Sequence, residues 1–228
     1  MQKRIIIYGA GGHAKTVISL LRLLDWEIIG IIDDGVEKGK SVSGVQVLGG
    51  AEILQSLRSR GIVYAVNAVG GIGNYMVRWR IFRRLQEFDF QFPTLIHPSA
   101  FVEDSVTLAD GIQVLAQSYI SSESRVGFGT LINAGVVISH DGNIGRCVNL
   151  SPGALLAGEV TVEDFAQIGM GATINLAIKI GSAARIGNSA VVKGDVPANG
   201  RVYAGTIWPP VSGKSKILPA DPNFRKIA

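Results

Sequence analysis

Val126–Leu150 reads VGFGTLINAGVVISHDGNIGRCVNL, and it decides the fold. Large aliphatic side chains stand at 126, 132, 138, 144 and 150, a spacing of six. A helix repeats every 3.6 residues and a half-buried strand every two, so neither alone accounts for six. A short strand followed by a corner, repeated, does. Stepping outward by six finds Ile, Leu or Val at seventeen consecutive stops, from Ile96 to Val192. Two residues before each stop lies a side chain that is mostly small or β-branched, such as Ser124, Thr130, Val136 or Ala154. Glycine often follows the stop, as at Gly127, Gly145, Gly169, Gly181 and Gly187. Three such units close a triangular coil with the large aliphatic residues inside, and stacked coils bury a continuous column. The expectation is a parallel β-helix over residues 94–205, followed by a C-terminal tail, 206–228.

The residues before it have a different pattern. Arg4–Tyr8 is an apolar strand that runs into Gly9-Ala10-Gly11-Gly12-His13-Ala14-Lys15. Val17, Ile18, Leu20, Leu21 and Leu24 then carry helical spacing. A second strand, 26–32, ends in Asp33-Asp34. Gly9-x-Gly11-x-x-Ala14 fits a relaxed dinucleotide fingerprint, with Asp33 near the spacing of its ribose-binding acid. Glycines let backbone N–H groups approach a diphosphate at a helix N-terminus. A third strand, 62–69, leads through Gly70-Gly71-Ile72-Gly73 into a helix with Val77, Ile81, Arg84 and Leu85. Residues 1–93 thus read as a small Rossmann-like βα domain, half of a full dinucleotide fold, which suits one nucleotide better than NAD. The fold class is α/β plus β-solenoid.

Composition narrows the function. The net charge of +4 is modest. Basic residues cluster at 78–84 and in the tail with little aromatic interleaving, and read as a solvated helix face and an anion-binding tail rather than a nucleic-acid surface. Cys147 is the sole cysteine, which excludes an internal disulfide and fits a reducing compartment. No apolar run reaches membrane-spanning length and no signal-peptide core follows Lys3-Arg4, so a cytoplasmic enzyme with no membrane partner is expected.

Three histidines are candidates for chemistry: His13, His97 and His140. His140 falls two residues past the inward Ile138, at or near a corner, where it can project outward with Asp141 beside it. An imidazole with an ordinary pKa near 6.5 suits proton removal at neutral pH, and a carboxylate can orient it. His97 reads as a cap or packing residue where the solenoid begins. Cys147 is a rival acyl-carrying nucleophile, but its place in a strand argues for an inert thiol. A nicotinamide oxidoreductase would use only the first 35 residues and leave the solenoid idle. A metal-dependent hydratase would need three histidine ligands, and the repeat carries only His97 and His140, so no metal is expected. Lys15 as a plain solvated helix residue, and Asp33-Asp34 as a plain turn, remain the simpler alternatives to binding roles.

The pairing of the two halves resembles the sugar acyltransferases related to the sialic acid O-acetyltransferase and to the UDP-4-amino-sugar N-acetyltransferase of bacillosamine synthesis. The resemblance rests on Gly9–Lys15, Asp33-Asp34, Leu95-Ile96-His97-Pro98-Ser99-Ala100, Ile138-Ser139-His140-Asp141-Gly142-Asn143-Ile144-Gly145 and Leu150-Ser151-Pro152-Gly153-Ala154. It implies a left-handed coil and a homotrimer, with acetyl-CoA as co-substrate between adjacent β-helices. It also implies acetyl transfer to the amine of a nucleotide-linked amino sugar, or, as in the sialic acid type, to a sugar hydroxyl. His140 would be the base, with Asp141 beside it and Asn133 near the reacting atoms. Gly9, Gly11, Gly12, His13 and Lys15 would hold the diphosphate or its neighbourhood, with Asp33 and Asp34 at the nucleoside. Asn149, Gly158, Met170, Gly187 and Asn188 would line the acetyl-CoA site. Members commonly carry histidine where this chain has Asn149. They also carry a Gly-x-Pro-Ala-Lys-like segment where this chain has Gly205-Thr206-Ile207-Trp208-Pro209-Pro210.

Overall fold

A computed structural model describes residues 3–73 and 76–210. The first domain is built on a sheet of five strands. β1 (Arg4–Tyr8) leads to helix α1 (Gly12–Leu23), β2 (Glu27–Ile32), β3 (Ser41–Val42) and β4 (Val45–Gly49), then to α2 (Leu54–Ser59), β5 (Tyr64–Asn67) and α3 (Met76–Gln86). The order across the sheet is β3-β4-β2-β1-β5, with β1, β2, β4 and β5 parallel and β3 antiparallel to β4. The β3–β4 hairpin was not expected from the sequence. Its signal is the two-residue turn Ser43-Gly44, both at positive φ (47° and 81°), the geometry that suits the twist of a tight hairpin.

The second domain is a parallel β-helix with three faces. The first face starts at Leu95–Ile96 and stacks Gln113–Val114, Leu131–Ile132, Asn149–Leu150, Gln167–Ile168, Arg185–Ile186 and Arg201–Val202. The second stacks Phe101–Val102, Tyr119–Ile120, Val137–Ile138, Leu155–Leu156, Thr173–Ile174, Val191–Val192 and Ile207–Trp208; the third runs from Thr107–Leu108 to Lys179–Ile180. The six-residue stops form the inner column, with Ile120, Ile132, Ile138, Leu150, Ile168 and Ile174 all fully buried. The hydroxyls of the second register are buried as well, and each is satisfied. Ser118, Ser124 and Thr130 donate to the carbonyls of Asn133, Ser139 and Gly145 at 2.9, 3.0 and 2.8 Å, which removes the cost of an unpaired buried hydroxyl. The last coil is two residues short: Ile180 bridges to Val196 and Val192 pairs with Trp208, so the final rung passes the expected boundary at 205. Residues 211–228 of the expected anion-binding tail lie outside the described residues.

Two details of the sequence reading change. The basic run 78–84 is not one solvated face. Arg78 is 1% exposed and shares the inward stripe of α3 with Phe82 and Leu85, while Val77 and Ile81 are only partly buried. A buried arginine breaks the apolar pattern, so periodicity picks the wrong side of this helix. Cys147 is not in a strand but at a corner, with φ of 48°.

The two domains share their cores. Leu95, Leu115 and Leu131 of the solenoid close the apolar layer beneath α1. On the other side of the sheet Phe82 meets Phe92 and Phe128 edge-on, at centroid distances of 5.1 and 4.8 Å. Such pairs stabilise by about 0.5–1.5 kcal/mol beyond area burial. The first domain therefore covers the first face and the corner that precedes it.

Candidate active site

From Gly111 to Ser189 the coils turn their corners in one way. The third residue after the inward aliphatic has positive φ, at Gln117, Glu123, Gly129, Gly135, Asp141, Cys147, Gly153 and onward. Asp141, at φ 59°, is such a residue, and aspartate tolerates the left-handed region better than most. Its N–H donates to the Ser122 carbonyl at 3.0 Å. His140, immediately before it, is thrown outward on the corner between the second and third faces. Asp141 Oδ2 lies 2.8 Å from His140 Nδ1, and both side chains are more than half exposed. With Nδ1 held by a carboxylate, Nε2 is left to carry the lone pair. One coil further on, a Cβ at Gly158 would stand 2.5 Å from His140 Nε2, so the ring rests directly on that glycine. The Gly158 N–H has no hydrogen-bond partner among the described residues.

A second set of residues gathers on another corner. A cleft of about 490 Å³ opens between the first domain and the first face, lined by Gly12, His13, Gly70, Gly71, Asn133 and Asn149 among others. The glycine loop forms its rim. Gly9, at φ 112°, donates its N–H to the Ile32 carbonyl at 2.8 Å, and a Cβ there would press on Val69. Gly11 and Gly12 differ: a Cβ on either would meet nothing within 4 Å. No neighbour among the described residues demands glycine at those two positions.

Asp33 braces this loop, its two carboxylate oxygens accepting from Ala10 N at 2.7 Å and Gly35 N at 2.9 Å. Asp34 accepts from the Tyr8 hydroxyl at 2.6 Å, from Arg84 at 3.0 Å and from Ala51 N at 2.8 Å. Burial, with the Asp34 bond, pushes the Tyr8 hydroxyl up to about 12, and the Tyr8 bond first, then Ala51 and Arg84, hold the Asp34 carboxyl below its usual range. Both acids thus sit at the C-terminal end of β2, where parallel sheets take their ligands. Their oxygens already carry internal bonds. Lys15 is exposed on the first turn of α1.

His13 Nε2 lies 2.8 Å from Gln113 Oε1 of the first face, and burial pushes its pKa down to about 4. Behind them Arg78 donates to the carbonyls of Val69 and Gly129, joining the two domains. From sequence Gln113 had no role and Arg78 read only as part of a solvated face; their positions in the repeat and on α3 carry no signal of contacts 100 and 51 residues away. Asn149 is buried, donates to Ser151 Oγ at 3.0 Å and packs against Gly71, where a Cβ would fall 2.3 Å from Asn149 Oδ1. Asn133 donates to the Leu150 carbonyl at 2.7 Å.

The expected residues therefore separate into two groups. His140, Asp141 and Gly158 share the corner after the second face. Asn133, Asn149 and His13 lie at the cleft, and Met170, Gly187 and Asn188 follow on the same corner as Asn133, before the second face, with Asn188 Oδ1 accepting from Met170 N at 2.9 Å. Asn133 does not meet His140 within one chain. His97 takes the capping role expected of it: its Nδ1 accepts from Ser99 N at 3.1 Å. Burial raises the Cys147 thiol to about 11, against a smaller opposing pull from Arg78, which keeps it protonated at neutral pH.

A β-helix with an outward histidine–carboxylate pair, fused to a glycine-loop domain, is the architecture of a hexapeptide-repeat acyltransferase. Comparison with known proteins agrees. Residues 4–85 match the family described as the PglD N-terminal domain. GDP-perosamine N-acetyltransferase of Escherichia coli O157:H7 is 30% identical over 177 residues, 75% of this chain and 78% of that one. PerB from Caulobacter crescentus, solved with CoA and GDP-perosamine, has a TM-score of 0.83 at 33% identity, covering 88% of this chain and 94% of its own. The same enzyme has also been solved with both ligands after one histidine was replaced by asparagine or alanine. The acetyltransferase domain of PglB from Neisseria gonorrhoeae, solved with acetyl coenzyme A, has a TM-score of 0.81 at 29% identity over 90% of this chain and 98% of that one. The chain belongs to the hexapeptide-repeat N-acetyltransferase family of these enzymes.

Proposed function

We propose that this protein transfers the acetyl group of acetyl-CoA to the amine of a nucleotide-linked amino sugar, with His140 as general base. One observation carries the reading above the rest: an outward imidazole with Nδ1 fixed by Asp141 and its ring on Gly158, whose N–H is unoccupied. As the amine nitrogen attacks the thioester carbonyl, it must lose a proton, and His140 Nε2 is placed to take it. Asp141 stabilises the imidazolium. The Gly158 N–H can donate to the oxyanion, the term that commonly contributes most to such a step. Collapse of the tetrahedral intermediate expels the CoA thiolate, and the imidazolium returns the proton to it. The nucleotide would lie with its diphosphate over Gly11 and Gly12 and its sugar in the cleft against the first face.

We infer a homotrimer, because one chain holds the two halves of the site on different corners. The second face lies between those corners. Its outward side chains are Phe101, Tyr119, Val137, Leu155, Thr173, Val191 and Ile207, all but Thr173 aliphatic or aromatic, with Phe101 63% and Leu155 45% exposed, whereas the third face shows Thr107, Arg125, Asn143, Thr161 and Lys179. Three copies packed through the second face would cover this apolar surface. They would also bring the His140 corner of one chain to the cleft corner of the next. A single buried cysteine fits the expected cytoplasmic location. The test is thiol release from acetyl-CoA in the presence of GDP- or UDP-linked 4-amino sugars, followed by mass analysis of the product for an N-acetyl group. An O-acetyl product would shift the reading to the sialic acid type.

A further inference from the structure

We infer that His13 recognises the sugar portion of the nucleotide sugar as a hydrogen-bond acceptor, through the lone pair on Nδ1, and does not grip the diphosphate. This deepens the acetyltransferase reading and rests on it. Asn67 O can only accept, so the end of the Gln113 amide that faces it at 2.7 Å must be the Nε2 donor. That leaves Gln113 Oε1, an acceptor, 2.8 Å from His13 Nε2. His13 Nε2 must therefore carry the proton. The amide cannot flip to offer the opposite polarity, because it would turn a carbonyl against a carbonyl. Asn67 itself is fixed: its Nδ2 donates to the Arg78 carbonyl at 2.9 Å and its Oδ1 accepts from Val69 N at 3.1 Å.

With Nε2 protonated, the ring either is neutral, with a lone pair on Nδ1, or carries a second proton there. Burial works against the second state, and Arg78, the charged group facing the ring from α3, adds to that. His13 Nδ1 has no hydrogen bond among the described residues, and the one enclosed side-chain nitrogen or oxygen there that lacks a partner is Arg78 Nε. Nδ1 is therefore not sealed off, and the surface that His13 offers is the cleft wall. A lone pair repels phosphate oxygens and attracts an O–H or N–H group. The diphosphate would have its own partners in the backbone amides of Gly11 and Gly12, which donate to no described residue, and in the exposed Lys15 at the start of α1. A ligand running from the Asp33 side across those glycines into the cleft meets His13 with its sugar, where hydroxyl and amine donors are present.

The test is histidine ¹⁵N NMR on the full-length chain, with His13 assigned by its loss in His13→Gln. The expected pattern is an Nε2–H tautomer that does not titrate between about pH 6 and 8. GDP alone should leave the Nδ1 resonance in place, and GDP-perosamine or a UDP-linked 4-amino sugar should move it. His13→Gln keeps a donor toward Gln113 but loses the acceptor, and should weaken nucleotide-sugar binding roughly 10- to 100-fold with little effect on GDP. His13→Asn, whose Oδ1 replaces Nδ1, should recover part of that loss. A ring protonated at neutral pH, an Nδ1–H tautomer, or an equal shift with GDP alone would overturn the inference. If no nucleotide sugar binds while the Nε2–H tautomer is present, the acetyltransferase reading fails and takes this inference with it, a result distinct from a wrong tautomer.

Discussion

His140 depends on two neighbours, and each can be removed separately. His140→Ala should lower kcat by about 10²–10⁴ while the KM for acetyl-CoA changes little. Asp141→Asn should cost less, since the residue orients the base and takes no proton. Gly158 is buried beneath the exposed His140 side chain, and Gly158→Ala would place a methyl 2.5 Å from that ring, so steady-state rates should fall more than the melting temperature, because the exposed ring can turn aside. His13 makes a different prediction, one of stability. Its pKa drops from 6.5 to about 4 on folding. Between those values the unfolded chain binds a proton that the folded chain refuses. The contribution is therefore complete above about pH 6.5 and declines as pH falls toward 4, by about 3 kcal/mol in all. Urea midpoints measured across that window should fall more steeply for the wild type than for His13→Gln. Equal slopes would show that His13 is not held neutral by burial.

At the level of elements, glycines with different surroundings should behave differently. Gly12→Val meets open space, so it should leave thermal unfolding unchanged and abolish nucleotide-sugar binding. Gly145→Ala places its Cβ 2.6 Å from Asp164 N in the next coil, and should destabilise by about 1–3 kcal/mol, read as a lower melting temperature. The same contrast explains what could be read from sequence. The inner column was legible because one residue class recurs at one spacing, from Ile96 to Val192. The glycine loop and Asp33-Asp34 were legible as a local motif. The left-handed corner was not, because Asp141, Cys147, Phe165 and Ala183 share a backbone conformation and no side-chain type. The inward side of α3 was hidden by Arg78, whose burial is made tolerable by carbonyls from two domains. The Phe82–Phe92–Phe128 contact and the His13–Gln113 pair join residues far apart in the chain, and no local pattern announces them.

For the whole molecule, the account requires a site built by two chains. Leu155→Arg on the second face should give monomers by sedimentation and abolish transfer. A mixture of His140→Ala and Gly12→Val chains, each inactive alone, should regain on the order of a quarter of wild-type activity when co-expressed, because random trimers place an intact cleft beside an intact His140 at that frequency. No recovery would mean that cleft and base belong to one chain. The most direct test of the central claim is single-turnover acetyl transfer from acetyl-CoA to GDP-perosamine and to a UDP-linked 4-amino sugar, in wild type and His140→Ala, with thiol release followed across pH. The account predicts N-acetylated product with at least one of them, and a fall of about 10²–10⁴ in rate in the variant at every pH. Near wild-type transfer by His140→Ala would contradict it.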